Sequence, residues 1–162
     1  ADDGTVGEIR TSATPLSATR TDRPLQELDA QVGAEAKLHG YALGEPAQPG
    51  RPLGLTLWWQ VLTDVPDERS VMVQLRDAAG REVVHADGAP AAGSKPTSTW
   101  RAGDLVLDAR EIALPADLPP GEYTLVLGMY RWPSLERLPL ALAGARQPED
   151  VLRIPITVEP AP

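Results

Sequence analysis

The 162-residue chain contains no cysteine, no asparagine and no phenylalanine, and only two of its fifteen basic residues are lysines. Without Cys, a disulfide framework, a thiolate zinc site and a Cys nucleophile are all excluded. Without Asn there is no N-x-[ST] acceptor for glycosylation. The bases are scattered, with no Lys/Arg-rich run of five or more, in a chain of formal net charge -8 and pI near 4.7. Nucleic-acid binders need a basic face that displaces counterions from phosphates, so no nucleic-acid partner is expected. The longest uncharged apolar stretch, residues 52–63, falls well short of the ~18–20 residues of a membrane span. No direct membrane span is expected either.

What is present is a Leu/Val core cut by turns. The chain has 21 Leu, 12 Val and 4 Ile, just above the level of ~20 % below which chains tend to be disordered. Gly and Pro, 14 and 17 in number, punctuate it heavily but fall short of a low-complexity composition. Residues 1–24 are rich in Thr, Ser, Ala, Asp and Arg and read as an arm or linker with one short strand over 5–10. Residues 25–159 read as the folded domain and 160–162 as a linker-like tail. The start at Ala1, with no charged-then-apolar leader, leads us to expect either a processed exported protein or a piece of a larger one.

Within the domain the hydrophobic period is two. Leu53, Leu55, Leu57, Trp59 and Val61 alternate with Gly54, Thr56, Trp58 and Gln60; Val71, Val73 and Leu75 alternate with Met72, Gln74 and Arg76. Tyr123, Leu125, Leu127 and Met129 form a third such set, and Leu152, Ile154, Ile156 and Val158 a fourth. Alternation puts one residue set on each face of a half-buried strand. Pro155 lacks a backbone donor and so belongs on an edge strand or at a bulge. Asp77-Ala78-Ala79-Gly80 has the composition of a hairpin turn, and residues 115–121 (Pro-Ala-Asp-Leu-Pro-Pro-Gly) that of a rigid corner. Leu25, Leu28 and Val32 stand at helical spacing, but Gly33 and the surrounding strands favour a strand there. The reading is all-β: an antiparallel β-sandwich, Ig-like or jelly-roll, of about eight strands.

Catalytic patterns are sparse. His39 and His85 are the only histidines, and neither lies in an H-E-x-x-H pattern. None of the serines sits in a G-x-S-x-G elbow or beside a His. The run from Gly88 to Lys95 misses a phosphate loop because Ser94 separates Gly93 from Lys95 and Pro96 follows. No D-x-[DN]-x-[DN]-G calcium loop occurs. We expect a non-catalytic protein with no cofactor and no metal.

One region gathers groups suited to binding. Asp87-Gly88-Ala89-Pro90, Pro96-Thr97-Ser98-Thr99-Trp100, Gly103-Asp104 and Asp108 lie close together without strand pattern. Trp100 offers a ring for stacking on a sugar face, with Asp87 and Asp108 accepting hydroxyl hydrogen bonds; Trp132, past the third alternating set, is a further stacking candidate. The competing reading has Trp100 folded back to cap the sandwich while Asp87 and Asp104 order turns. Adjacent Trp58 and Trp59 must point to opposite faces, which makes Trp58 an interface candidate. Tyr123, just after the corner, fits a structural role like that of the tyrosine at Ig-type corners.

The same segments carry a likeness. Leu38-His39-Gly40-Tyr41, Leu55-Thr56-Leu57-Trp58-Trp59-Gln60, the Asp87 to Trp100 block, Leu118-Pro119-Pro120-Gly121-Glu122-Tyr123 and Gly128-Met129-Tyr130 follow one pattern. It resembles the soluble β-sandwich at the C-terminal end of bacterial membrane glycosyltransferases of the lipid-linked-sugar, protein-mannosyltransferase-like type, or a free-standing relative of that domain. Gln74 and Arg76 depart from it, standing where a more apolar strand belongs. The resemblance implies an extracytoplasmic location, periplasmic or at the cell surface, beside a membrane protein or surface-complex subunit, and supplies no catalytic residues. From the sequence we therefore expect an exported accessory or interaction module, with carbohydrate binding through Trp100, Asp87, Asp108 and Trp132 as the alternative.

Overall fold

Every alternating run becomes a strand with its apolar set turned inward. The computed structural model describes residues 26–44 and 46–161; the expected arm and its strand lie outside the described residues. Ten strands follow in order: β1 (Gln26–Val32), β2 (Ala36–Leu43), β3 (Pro52–Val61), β4 (Arg69–Arg76), β5 (Glu82–His85), β6 (Leu105–Ala113), β7 (Gly121–Arg131), β8 (Leu140–Leu142), β9 (Ala145–Arg146) and β10 (Leu152–Val158). The segment of ambiguous period is a strand, β1. Two antiparallel sheets form, a six-stranded one in the order β6-β3-β2-β1-β8-β9 and a four-stranded one in the order β10-β7-β4-β5. This is the expected β-sandwich, with two short strands, β8 and β9, beyond the eight anticipated. No helix of the described residues is long and apolar enough to cross a membrane.

The core lies between the sheets. Leu53, Leu55, Leu57, Trp59 and Val61 of β3 face Val71, Val73 and Leu75 of β4 and Leu125, Leu127 and Met129 of β7 in one buried cluster. A register irregularity in β2 between Leu38 and Gly40 moves the inward set from Leu38 to Tyr41 and Leu43. β10 is an edge strand, which leaves Pro155 without a donor to miss on its open side. The hydroxyl of Tyr123 donates to the carbonyl of Pro119 at 2.6 Å and ties down the corner before β7.

β5 ends the four-stranded sheet and β6 ends the six-stranded one, so residues 86–104 must cross from one sheet edge to the other. Trp100 closes this side. It is fully buried, its ring centroid 6.0 Å from that of Trp59 at an interplanar angle of 43°. Its indole N–H donates to the carbonyl of Lys95 at 3.0 Å, and its own carbonyl accepts the amide of Val65 at 3.1 Å. The indole is thus an apolar plug with its one polar atom satisfied. Truncating such a side chain removes its transfer free energy and leaves a cavity. Trp100→Ala is expected to destabilise the domain by about 3–5 kcal/mol, read from the urea midpoint at constant m-value; a loss under 1 kcal/mol contradicts the plug.

Candidate functional site

The crossover leaves β5 by a rearrangement of the β4 edge. The amide of Ala86 donates to the carbonyl of Val73, but the Ala86 carbonyl turns away and accepts Nη1 of Arg110 at 3.1 Å. The amide of Val73 is taken instead by Oδ1 of Asp87 at 2.9 Å. Gly88 then resumes the ladder with a reciprocal pair of bonds to Val71. Buried backbone groups must be paired, and here a carboxylate and a guanidinium supply the partners that the ladder gives up.

Asp108 and Arg110 hold the other side of this segment. They share the inward face of β6 with Val106 and Ile112 and form an ion pair of 2.8 Å. Arg110 also reaches the carbonyls of Gly88 and Ala89, and Oδ1 of Asp108 accepts the amide of Ala91 at 2.9 Å. Asp108 is fully buried. The sequence-based roles of Trp100 and Asp108 as ligand-binding residues are therefore corrected: neither side chain reaches the surface, one serving as plug and the other as clasp.

Asp87 and Trp132 are brought together. They line one shallow cavity of about 350 Å³ with Glu68, Ser70, Gly88 and Tyr130, on the outer face of the four-stranded sheet. Trp132 is 57 % exposed. The hydroxyl of Tyr130 donates to Oδ2 of Asp87 at 3.1 Å. Burial, then the neighbouring Asp87 charge and that hydrogen bond, raise the Tyr130 hydroxyl above its ordinary value, so it stays a donor at neutral pH. The Asp87 carboxylate uses one bond on each oxygen to hold Val73 and Tyr130, and an ionised carboxylate offers roughly four acceptor positions. A second depression of about 420 Å³ is lined by Asp87, Gly88, Ala89, Arg110 and Glu111. Chemically, the first cavity offers an exposed indole beside carboxylate, phenol and hydroxyl groups.

Sequence reasoning missed Tyr130 and Ser70. They pair across β7 and β4 and both point outward, which follows from alternation once their neighbours Met129 and Val71 are placed inside. Trp58 is half-buried on the outer face of the six-stranded sheet, level with Gly40 and Leu107. His85 is exposed with Nδ1 2.9 Å from Glu82, and His39 is half-buried on β2.

Arg69, which also lines the first cavity, belongs to a chain of alternating charges. The fully buried Arg69 side chain bonds Oε1 of Glu35 at 2.9 Å and Oδ1 of Asp67 at 2.8 Å; Arg131 takes Oδ2 of Asp67 at 2.9 Å and pairs with Glu136 at 3.3 Å. Thr97, in the turn Thr97–Thr99 of the crossover, accepts the Arg69 amide and donates to the Asp67 carbonyl, each at 2.8 Å. Burial opposes ionisation of Asp67, but hydrogen bonds from Arg69 and Arg131 outweigh it and hold its carboxyl below the ordinary 3.8. A depressed folded-state value gives stabilisation that is complete above the ordinary value and lost as pH falls through the folded one.

Two outcomes follow. Asp67→Asn should lower the thermal midpoint at pH 7 and make its fall below pH 3.8 shallower than in the parent; parallel midpoint-against-pH curves contradict the network. Asp108→Ala leaves Arg110 without its buried partner and should cost about 3–5 kcal/mol, whereas an unchanged urea midpoint removes the clasp from the account.

No family model and no curated protein matches this sequence. Among solved structures, the chain is similar to the C-terminal domain of Wzt, with a TM-score of 0.58 at 16 % identity over 87 % of this chain and 83 % of that one. The likeness to a C-terminal domain shows the fold, a two-sheet β-sandwich.

Proposed function

We propose that this chain is a non-catalytic accessory module that holds a glycan in the depression beside Trp132. The observation that carries the reading is the meeting of Trp132 and Asp87, distant in sequence, in one cavity together with Tyr130 and Ser70. An exposed indole presents an apolar face for the C–H side of a sugar ring, and the carboxylate and hydroxyls around it match the ring's hydroxyls. The hydrogen bonds that Asp87 accepts from the Val73 amide and the Tyr130 hydroxyl fix the site before a ligand arrives, which lowers the ordering cost of binding. The sequence resemblance supports placing the module on the extracytoplasmic side, next to a membrane protein or a surface-complex subunit.

A second reading rests on a different observation. Leu62, Leu105, Trp132 and Leu135 are 38, 70, 57 and 59 % exposed. Leu62 follows β3, Leu105 opens β6, and Trp132 and Leu135 follow β7. The amide of Leu62 bonds the carbonyl of Glu35, whose carboxylate holds Arg69 opposite Arg131. All four therefore crowd one end of the sandwich, and clustered exposed apolar groups mark interaction surfaces. In this reading the end docks the module onto its partner assembly.

A glycan array separates the two. Trp132→Ala is expected to reduce binding at least tenfold while the thermal midpoint stays within the scatter of ordinary surface substitutions, about 0.5 kcal/mol. A blank array with the folded parent protein defeats the glycan reading and leaves docking through the leucine-bearing end.

A further inference from the structure

Gln74 and Arg76, the two residues of β4 that depart from the resembled pattern, do not line the Trp132 cavity. They lie further along the outer face of the same sheet, where Arg76 donates to Gln74 through Nε and Nη2 and to Oε1 of Glu149 through Nη1 at 3.0 Å. Arg153 of β10 donates to that same Glu149 oxygen at 2.9 Å, and Arg137 donates to the Glu149 backbone carbonyl at 3.0 Å. In a chain of net charge -8, two guanidinium groups thus converge on one carboxylate oxygen, and a third holds the backbone carbonyl of the same residue.

Glu149 is carried into this position by an unusual backbone. It lies in the turn Pro148–Asp150 with φ of +60°, and Asp150 follows with φ of +56°. Neither residue is Gly, and the left-handed region is costly for side-chain-bearing residues. The turn lies directly over β7 at Gly128, where an added Cβ would stand 3.2 Å from the Asp150 carbonyl oxygen. Asp150 is pinned from below by the amide of Leu140 and by Arg146. The Glu149 side chain is more than half exposed, whereas that of Arg76 is mostly covered and aimed by Gln74. Arg76 is the fixed cation of the group, while Arg137, Arg153 and Glu149 are exposed.

Guanidinium forks match the planar carboxylate and the phosphate group, and a second arginine on the same oxygen strengthens that match. A hydrogen bond from Arg76, then the charges of Arg76, Arg153 and Arg137, hold the Glu149 carboxyl below its ordinary value against the effect of burial. Exposed ion pairs add little stability, so the convergence is poorly explained by stability alone. We propose that Arg76 and Arg153, flanked by Arg137, form an oxyanion site on the outer face of the four-stranded sheet, which the Glu149 carboxylate fills as an internal occupant and which a carboxylate or phosphate group of a ligand takes in its place. The proposal does not depend on the Trp132 reading, because it shares no residue with that cavity.

The test titrates the whole chain with sodium phosphate and with glucuronate, at ionic strength held constant with sodium chloride, following backbone and arginine Nε–Hε NMR signals. Glu149→Ala is expected to bind at least one of the two probes tenfold more tightly than the parent, with the shifts centred on Arg76 and Arg153. Preference for phosphate or for glucuronate identifies which oxyanion the site takes. Adding Arg76→Ala to Glu149→Ala should abolish the gain. Glu149→Gln, which keeps the side chain's shape and removes its charge, should show a gain in the same direction and serves if the alanine variant does not fold. Equal weak binding by folded parent and variants, or a gain that survives loss of Arg76, overturns the proposal.

Discussion

The structure depends on how the chain leaves one sheet edge and enters the other. A two-sheet sandwich with β5 and β6 at opposing edges is open on that side, and every backbone group of the connecting segment that lies against the core needs a partner. Arg110 and Asp108 supply several of them from the inward face of β6, and Asp87 supplies another at the edge of β4. An ion pair at an otherwise apolar inward position is costly unless it is fully engaged. This one is engaged by the carbonyls of Ala86, Gly88 and Ala89 and by the amide of Ala91. The polar pair is the condition under which the crossover can lie against the sandwich at all.

With that segment fixed, the rest of the crossover is positioned by apolar and charged anchors acting together. Trp100 fills the space beside Trp59, and Thr97 bridges to Arg69 and Asp67. Ser98 donates to Glu68, which also lines the cavity beside Trp132. The alternating series Glu35, Arg69, Asp67, Arg131 and Glu136 links the β1–β2 turn, the start of β4 and the end of β7. Its inner member, Arg69, has no exposed side-chain surface. The exposed Trp132 follows directly on Arg131, so the stacking candidate is attached to an end of the sandwich that ion pairs hold together.

Much of the fold was legible because burial on one face writes a period of two into long strands. Leu53 to Val61 and Leu152 to Val158 carry that signal without interruption, β7 is buried from Leu125 through Met129 because Val126 packs with Met72 and Val151 on the other face, and Pro155 and Tyr123 mark an edge and a corner by their own chemistry. β8 and β9 carry no such signal, since three and two residues are too few to show a period. The site was only half legible. Whether a loop tryptophan points in or out is decided by a tertiary gap, and here the space beside Trp59 takes Trp100. Asp108 resembles any loop carboxylate until β6 is aligned, when Val106, Asp108, Arg110 and Ile112 fall on one face. The meeting of Asp87 with Trp132 requires β4 to lie between β5 and β7, which no local pattern states.

In the proposed glycan reading, stability and recognition fall to different members of one residue type. Trp59 and Trp100 are spent inside, where their area closes the core; Trp132 stands outside, where no core contact requires it. Asp87 joins the two sets. Its oxygens complete the β4 edge and orient Tyr130, so the groups that face the cavity are positioned by bonds the sheet needs in any case. A site built this way requires little ordering when a ligand arrives. The same bonds set its limits. Any substitution that removes the Asp87 carboxylate also strips the Val73 amide of its partner, so loss of binding there reports on the sheet edge as well as on the ligand. Trp132, whose side chain stands outside the core, is in that reading the residue at which recognition can be separated from folding.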